Sequence, residues 1–184
     1  MAEDGTAGAE KPSGETGHIC FSGPQTFLGY INAPEATAET VSSDGVLYTG
    51  DMGYVDEQGL HFAGRAKHVI KPKGYQVFPA QVEDHLCELR EKVGAAAVVG
   101  VDHEVFSEGI VAFVEARPGA VLTTGDLQEH ARGLASYMRP SHYVVLGAGE
   151  IPLNRVAKTD YVVLKQMAQQ AVADLRQVGA WDQA

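Results

Sequence analysis

Apolar residues recur along this chain with different rhythms, and the changes of rhythm mark its organisation. Residues 1–16 carry no periodic apolar pattern and are rich in Gly, Ala, Glu, Ser and Pro, so they are expected to form a mobile lead-in without core contacts. Residues 17–64 read differently. Short apolar stretches at 18–22, 53–56 and 60–63 predict strands, Asp56-Glu57-Gln58-Gly59 predicts a hairpin turn, and residues 34–40 predict one short helix. A β-rich unit of about fifty residues removes too little surface from water to stand alone, so it is expected to need something to pack on.

Beyond residue 64 the period lengthens. Pro79 suits a first helical turn, and Val82, Leu86 and Leu89 fall at helical spacing, which predicts a helix over 79–89 with one buried stripe. The runs at 95–101 and 110–115, bounded by Gly and Pro, predict neighbouring strands, the second half exposed. Residues 124–136 predict a helix with a Thr start and an acid in its first turn, 142–146 a third strand, and 159–178 a closing helix. The fold class is therefore α+β: a small β-rich subdomain at 17–64, then a compact α+β lid-like domain at 65–184 with a short mixed sheet flanked by helices. The boundary is expected near residues 65–67, and no internal repeat is evident.

Composition adds limits. A chain of 184 residues that is 45% hydrophobic can bury a core. Its apolar runs are far shorter than the roughly 20 residues that span a bilayer, and its acidic start is unlike a signal peptide, so a soluble, cytoplasmic protein with no membrane span is expected. Cys20 and Cys87 are too few and too far apart for a disulfide framework and are read as small buried apolar residues. The histidines at 18, 61, 85, 103, 130 and 142 show no metal-ligand spacing, so no metal site is expected. A formal net charge of -10 argues against nucleic acid as a partner.

Against that acidic background, four of the fourteen Lys and Arg residues, Arg65, Lys67, Lys71 and Lys73, stand between positions 65 and 73, close to Gly64 and Gly74. Such a loop faces an anion, phosphate being the usual one, or is a solvated basic turn. Two further clusters join charge to turn chemistry: Tyr48-Thr49-Gly50-Asp51 and the segment 151–158, ending in Ala157-Lys158. Asp51, at the end of a short turn, either caps that turn or accepts hydrogen bonds from the vicinal hydroxyls of a ribose. Arg65 reads alone as a strand-end arginine in a surface ion pair. Lys158 is a solvated helix-start lysine, poorly placed for the helix dipole, or an ammonium that reaches a carboxylate and an α-phosphate.

The order of these motifs, together with Gly14-Glu15-Thr16-Gly17, Gly29-Tyr30, Gly64-Arg65 and Ala135-Ser136-Tyr137-Met138-Arg139-Pro140, resembles the C-terminal part of the adenylate-forming (AMP-binding) superfamily of acyl-CoA synthetases, coumarate-CoA ligases and luciferase-like enzymes. The resemblance covers nearly the whole chain. It implies that Asp51, Arg65 and Lys158 bind ATP or AMP, that Lys158 is catalytic in adenylation, and that Lys67 is the hinge of a swinging C-terminal domain. It further implies that Lys71, Lys73, Gly74 and Tyr75 lie on the loop that serves thioester formation with coenzyme A or a phosphopantetheine. His68 stands where the family commonly has Asp, and Ala157 where it commonly has Gly; a positive φ at that position would strain Ala by roughly a kilocalorie per mole. The family's upstream phosphate loop, acyl-pocket segment and Tyr-Gly-x-Thr-Glu motif, which handle triphosphate, magnesium and the acid, have no counterpart here. The expected reading is the C-terminal portion of an ATP-dependent carboxylic acid-CoA ligase, inactive without an N-terminal adenylation domain in cis or trans. A non-catalytic lid or interaction module, and transfer to a carrier-protein phosphopantetheine, are the alternatives.

Overall fold

The structure is a computed structural model that describes residues 1–183, and the chain divides into two compact units, Met1–Lys67 and His68–Ala184. The first is an antiparallel meander of β1 (Gly17–Phe21), β2 (Leu47–Asp56) and β3 (Gly59–Arg65) in the order β1-β2-β3, with helix α1 (Pro34–Thr40) in the β1–β2 connection. The predicted hairpin forms with Glu57 and Gln58 at its tip, because Asp56 pairs with Gly59 and its Oδ1 accepts a hydrogen bond from the Gln58 amide at 2.8 Å. Residues 1–16 bury no side chain, yet they are tied to the sheet region: Gly14 N–H donates to the Val55 carbonyl (2.9 Å) and Gly8 N–H to the Tyr48 hydroxyl (3.0 Å). None of the buried hydrophobic side chains belongs to residues 1–67, and Phe21, Leu28, Ile31 and Phe62 are 56%, 101%, 91% and 62% exposed. Cys20, expected to be buried, is exposed. β1 has no core to point into, so its alternation sets no inside for the thiol.

The second unit holds the core. Strands β2 and β3 are followed by α2 (Pro79–Cys87), β4 (Val93–His103), β5 (Ser107–Ala116), α3 (Thr124–His130), β6 (His142–Leu146) and α4 (Tyr161–Gln177). β4 and β5 are antiparallel, β5 and β6 parallel, and β5 lies between them, which is the short mixed sheet that the sequence predicts. Alternation along β5 divides its side chains between two clusters. Ile110, Ala112 and Val114 pack with Val82 and Leu86 of α2 and Leu127 of α3, whereas Val111 and Phe113 pack with Leu164, Ala168 and Val172 of α4. β5 is therefore buried on both faces, not half exposed: a central strand covered by helices on each side has no solvent face.

Two further differences have local causes. The predicted helix over 124–136 is α-helical only to His130, then tightens into a 3-10 turn at Ala131–Gly133. Its start at Thr124 with Asp126 in the first turn is as expected, and the structure adds Thr123 as the N-cap, in a capping box with Asp126. Lys92, with the Thr123 hydroxyl, holds the Asp126 carboxyl down at about 2. Trp181, which reads in sequence as an isolated aromatic in a polar tail, is 4% exposed and donates its indole N–H to the Asp102 carbonyl at 3.0 Å. Gly109 makes this seat, since a Cβ there would stand 2.5 Å from the indole ring. Arg176 closes the same corner through Asp182 (2.7 Å) and the Asp102 carbonyl (2.7 Å). Among the described residues no helix is long and apolar enough to cross a membrane.

Truncating Trp181 to Ala empties a buried aromatic seat at the end of α4, and we expect a loss of about 3–5 kcal/mol of unfolding free energy. Urea denaturation followed by circular dichroism measures it; an unchanged midpoint would show that the tail adds nothing to the core.

Candidate functional site

Asp51 and Arg65 face each other directly across β2 and β3. Asp51 lies inside strand β2, not at the end of a turn: it pairs with Arg65 of β3, while β1 pairs with Leu47 and Tyr48 before it and with Met52 and Gly53 after it. The kink read as a turn is local: Gly50 sits at φ +78°, and the register shifts between Met52 and Gly53. Thr49 organises this kink by donating its hydroxyl to the Ile19 carbonyl (2.8 Å) while accepting from the Asp51 amide (3.0 Å). Arg65 Nε lies 2.9 Å from Asp51 Oδ1, and its Nη1 donates to the Thr49 carbonyl at 3.1 Å. The guanidinium thus fixes the carboxylate's orientation. Exposed pairs of this kind contribute about 0–1 kcal/mol to stability, so the pair is easily rearranged around a ligand.

Lys67 is exposed in the 3-10 turn Ala66–His68, the last residue of the first unit. His68 follows in the second unit and packs its ring on Tyr161, centroids 4.2 Å apart. Tyr161 donates its hydroxyl to Glu83 (3.4 Å), which also accepts the Val98 amide (2.8 Å); burial pushes the Glu83 carboxyl up and the Tyr161 phenol to about 12. Glu83 thereby joins α2, β4 and the first turn of α4.

The basic loop is a closed hairpin. Ile70 and Val77 exchange both backbone hydrogen bonds (2.9 and 2.8 Å) and are 1% and 0% exposed, so the six residues between them project from two core anchors. Lys73 adopts φ +53° and Gly74 φ +82° at the tip. The loop's base is held by Glu108 of β5, which accepts the Lys71 amide at 2.6 Å, and its tip by the β4–β5 turn, where the Phe106 carbonyl accepts the Lys73 amide at 2.8 Å. The Lys73 ammonium lies over the Phe106 ring at 3.9 Å, while Lys71 is exposed. Tyr75 stacks on Tyr137, centroids 4.2 Å apart and 13° from parallel.

Lys158 lies at the end of a second hairpin, closed by the Leu153–Thr159 bridge. Asn154 builds its interior: the side-chain oxygen accepts the amides of Val156 (3.0 Å) and Lys158 (3.1 Å), its carbonyl accepts that of Ala157 (3.0 Å), and its amide donates to the Lys158 carbonyl (2.7 Å). Ala157 has φ +56°, the left-handed conformation that favours glycine. Residues 153–158 are all exposed, and the segment leaves the core at Ile151, whose amide donates to the buried Glu115 carboxylate of β5 at 2.6 Å.

The two loops therefore hang from one strand. Glu108 and Glu115 are seven residues apart, about 23 Å along a strand. They also belong to opposite faces: Ile70 and Val77 pack in the cluster of Ile110 and Val114, and Ile151 in that of Val111 and Phe113. Asp51 with Arg65, the 70–77 hairpin and the Lys158 hairpin each form local sites, and the last two point from different sides of one sheet.

The fold brings together two histidines that sequence spacing keeps apart. His85 and His130, 45 positions apart, stack with ring centroids 4.4 Å apart, and Glu88 lies beside both. The His85/Glu88 interval of three on a helix was the one readable signal; nothing in the sequence reports the contact with His130.

A small basic-looped α+β unit packed around a three-stranded mixed sheet is the class that fold and loops define. The family described as AMP-binding enzyme C-terminal domain matches residues 81–158. The chain is 42% identical over 128 residues to 4-coumarate–CoA ligase 4 of Arabidopsis thaliana, covering 69% of this chain and 22% of that protein. It is 41% identical over 146 residues to a long-chain-fatty-acid–CoA ligase of Bacillus subtilis, covering 78% and 25%. In structure it is similar to the amide bond synthetase McbA of Marinactinospora thermotolerans, with a TM-score of 0.80 and 33% identity over 88% of this chain and 32% of that one. ATP-bound MatB of Rhodopseudomonas palustris gives a TM-score of 0.79 with 32% identity over 89% and 32%. Residues 81–158 thus belong to the AMP-binding enzyme C-terminal domain family, whose relatives are adenylate-forming enzymes, and the chain spans less than a third of the length of these relatives.

Replacing Ala157 with Gly removes left-handed strain of about 1–2 kcal/mol and adds back part of it as unfolded-chain entropy. We expect a net gain of about 0.5–1 kcal/mol in urea unfolding; a loss of stability would mean that the hairpin relaxes the strain in solution.

Proposed function

We propose that this chain is the mobile C-terminal portion of an ATP-dependent carboxylic acid-CoA ligase that first forms an acyl-adenylate and then a thioester, and that turnover requires an N-terminal adenylation domain in cis or trans. The observation that carries this reading is the attachment of two basic loops to opposite ends and faces of β5. One fixed nucleotide cannot meet both loops in a single orientation, but a unit that turns about Lys67 presents them in succession. In the first orientation Lys158 stabilises charge developing between the carboxylate and the α-phosphate of ATP. Pyrophosphate then leaves. In the second, the 70–77 hairpin faces the acyl-adenylate, where Lys71 meets phosphate and Gly74 leaves room for a pantetheine arm. The thiol attacks the acyl carbon, and AMP departs. Asp51 accepts ribose hydroxyls in both orientations, with Arg65 holding its carboxylate and reaching the nucleotide.

The exposed apolar side chains of the first unit support the need for a further domain, since Leu28 and Ile31 are almost wholly in solvent in a unit with no buried apolar side chain of its own. Magnesium and the triphosphate fall to that domain. Coenzyme A is favoured as acceptor because the curated relatives are CoA ligases; a carrier-protein phosphopantetheine would use the same hairpin. The acyl acceptor is the least constrained part, since McbA, of similar fold, is an amide bond synthetase.

We expect no acid-dependent ATP–pyrophosphate exchange from the 184-residue chain alone, and exchange once it is joined to the N-terminal region of a related coumarate ligase. In the joined enzyme Lys158→Ala should slow exchange by about 10²–10³-fold yet leave thioester formation from supplied acyl-adenylate nearly unchanged, and Lys71→Glu should do the reverse. Vigorous exchange by the chain alone, or equal exchange by the Lys158→Ala enzyme, would contradict the assignment.

A further inference from the structure

His85 lies in the last turn of α2, Glu88 is the C-cap of that helix, and His130 is the last residue of α3. The two imidazoles lie nearly parallel, 19° apart, and each ring's Nε2 meets the other residue's backbone carbonyl: His85 Nε2 to the His130 oxygen at 3.0 Å, His130 Nε2 to the His85 oxygen at 2.7 Å. A carbonyl only accepts, so both Nε2 atoms carry the proton and in the neutral rings both Nδ1 atoms carry lone pairs. His85 Nδ1 lies 3.4 Å from Glu88 Oε2, and His130 Nε2 lies 3.8 Å from the same oxygen. One donor atom from each of the three residues falls within 4.8 Å of the others. The room for this arrangement comes from Gly133, where a Cβ would stand 2.9 Å from the His85 ring.

We propose that His85, Glu88 and His130 form a site for a borderline divalent cation of the zinc type, which clips the end of α2 to the end of α3. Metal–ligand bonds of about 2.0–2.2 Å in a tetrahedron set donor–donor edges of about 3.4 Å. The His85–Glu88 separation already equals such an edge, and the His130–Glu88 separation is slightly wider. Two imidazoles with one carboxylate select zinc, cobalt, nickel or copper over magnesium and calcium, which favour all-oxygen shells. The His85 Nε2–H bond to the His130 carbonyl is the outer contact that fixes a ligating imidazole, leaving Nδ1 to the metal. His130 moves its ring proton from Nε2 to Nδ1 and exchanges its bond to the His85 carbonyl for the metal. The Glu88 side chain is 64% exposed, so the ion enters from solvent and keeps water as its fourth ligand.

The site is separate from the ligase reading and survives its failure. The test uses the tag-free 184-residue chain, freed of metal by a chelator and titrated with CoCl2 and ZnCl2 under neutral conditions. One Co2+ per chain with the intense visible bands of tetrahedral coordination, displaced by Zn2+, is expected, together with a zinc-dependent rise in Tm. His85→Ala and His130→Ala, which remove a direct ligand, should each weaken binding by more than the roughly 10–100-fold that loss of an outer-shell partner costs, and His18→Ala should not weaken it. Because the two histidines also bond to backbone carbonyls, Glu88→Gln provides the variant that keeps those bonds: it should retain the fold by circular dichroism while weakening zinc and altering the cobalt spectrum. Absence of stoichiometric binding, or binding that is unchanged in both His130→Ala and Glu88→Gln, would overturn the site.

Discussion

Burial of β5 on both faces is the constraint from which the rest of the second unit follows. A strand with two covered faces must have helices on each side, and it can offer attachment points only at its ends. Those ends are where the polar anchors lie. Glu108 at the start takes the Lys71 amide, and Glu115 near the finish takes the Ile151 amide. Each carboxylate thus serves a backbone donor that would otherwise be left without a partner where the chain departs from the core, and the alternation of side chains sends the two departures to opposite sides. The separation of the loops is therefore a property of the sheet, not of either loop.

The first unit obeys the opposite economy. Its hairpin register and Thr49 bridge are well defined, but its apolar residues find no interior. A meander of this size held chiefly by backbone hydrogen bonds is marginal, because such bonds replace bonds to water and contribute only about 0.5–1.5 kcal/mol each. Leu28, Ile31 and Phe62 are left in water. The acidic chain's few clustered cations follow a similar logic: they are spaced along the boundary and the 70–77 hairpin, where a large anion held elsewhere could meet them.

Element types were legible because periodicity and caps report backbone directly. The hairpin at Asp56–Gly59, Pro79 and the apolar stripe of α2, the Thr start of α3 with its first-turn acid, and the closing helix α4 all came from local chemistry. What could not be read was set by distant partners. β5 looked half exposed because alternation says nothing about how many layers cover a strand; Trp181 looked stranded because its seat is an absent Cβ at Gly109, 72 positions away in sequence (181 minus 109). The charged loops were visible as clusters, yet their anchoring at Glu108 and Glu115, and the meeting of His85 with His130, are products of sheet and helix packing. Ala157 lies between these cases: its departure from glycine was readable, and its positive φ is a fact of the folded hairpin.

That strained alanine and the Asp51–Arg65 pair bear on how the molecule holds its reactive groups. Asn154 makes four hydrogen bonds within five residues, enough to keep Ala157 in a conformation that costs about 1–2 kcal/mol. The hairpin is thereby kept narrow, and Lys158 leaves it with its backbone fixed while its side chain stays in solvent. Asp51 is fixed in another way, by the Arg65 guanidinium opposite it in the register. An exposed ion pair is weak enough for a nucleotide to share it without a large penalty, yet at 2.9 Å it keeps the carboxylate from wandering. Orientation is retained cheaply when the orienting group is also part of the binding surface, and under the proposed nucleotide-binding role Arg65, opposite Asp51 in the register, would meet that condition.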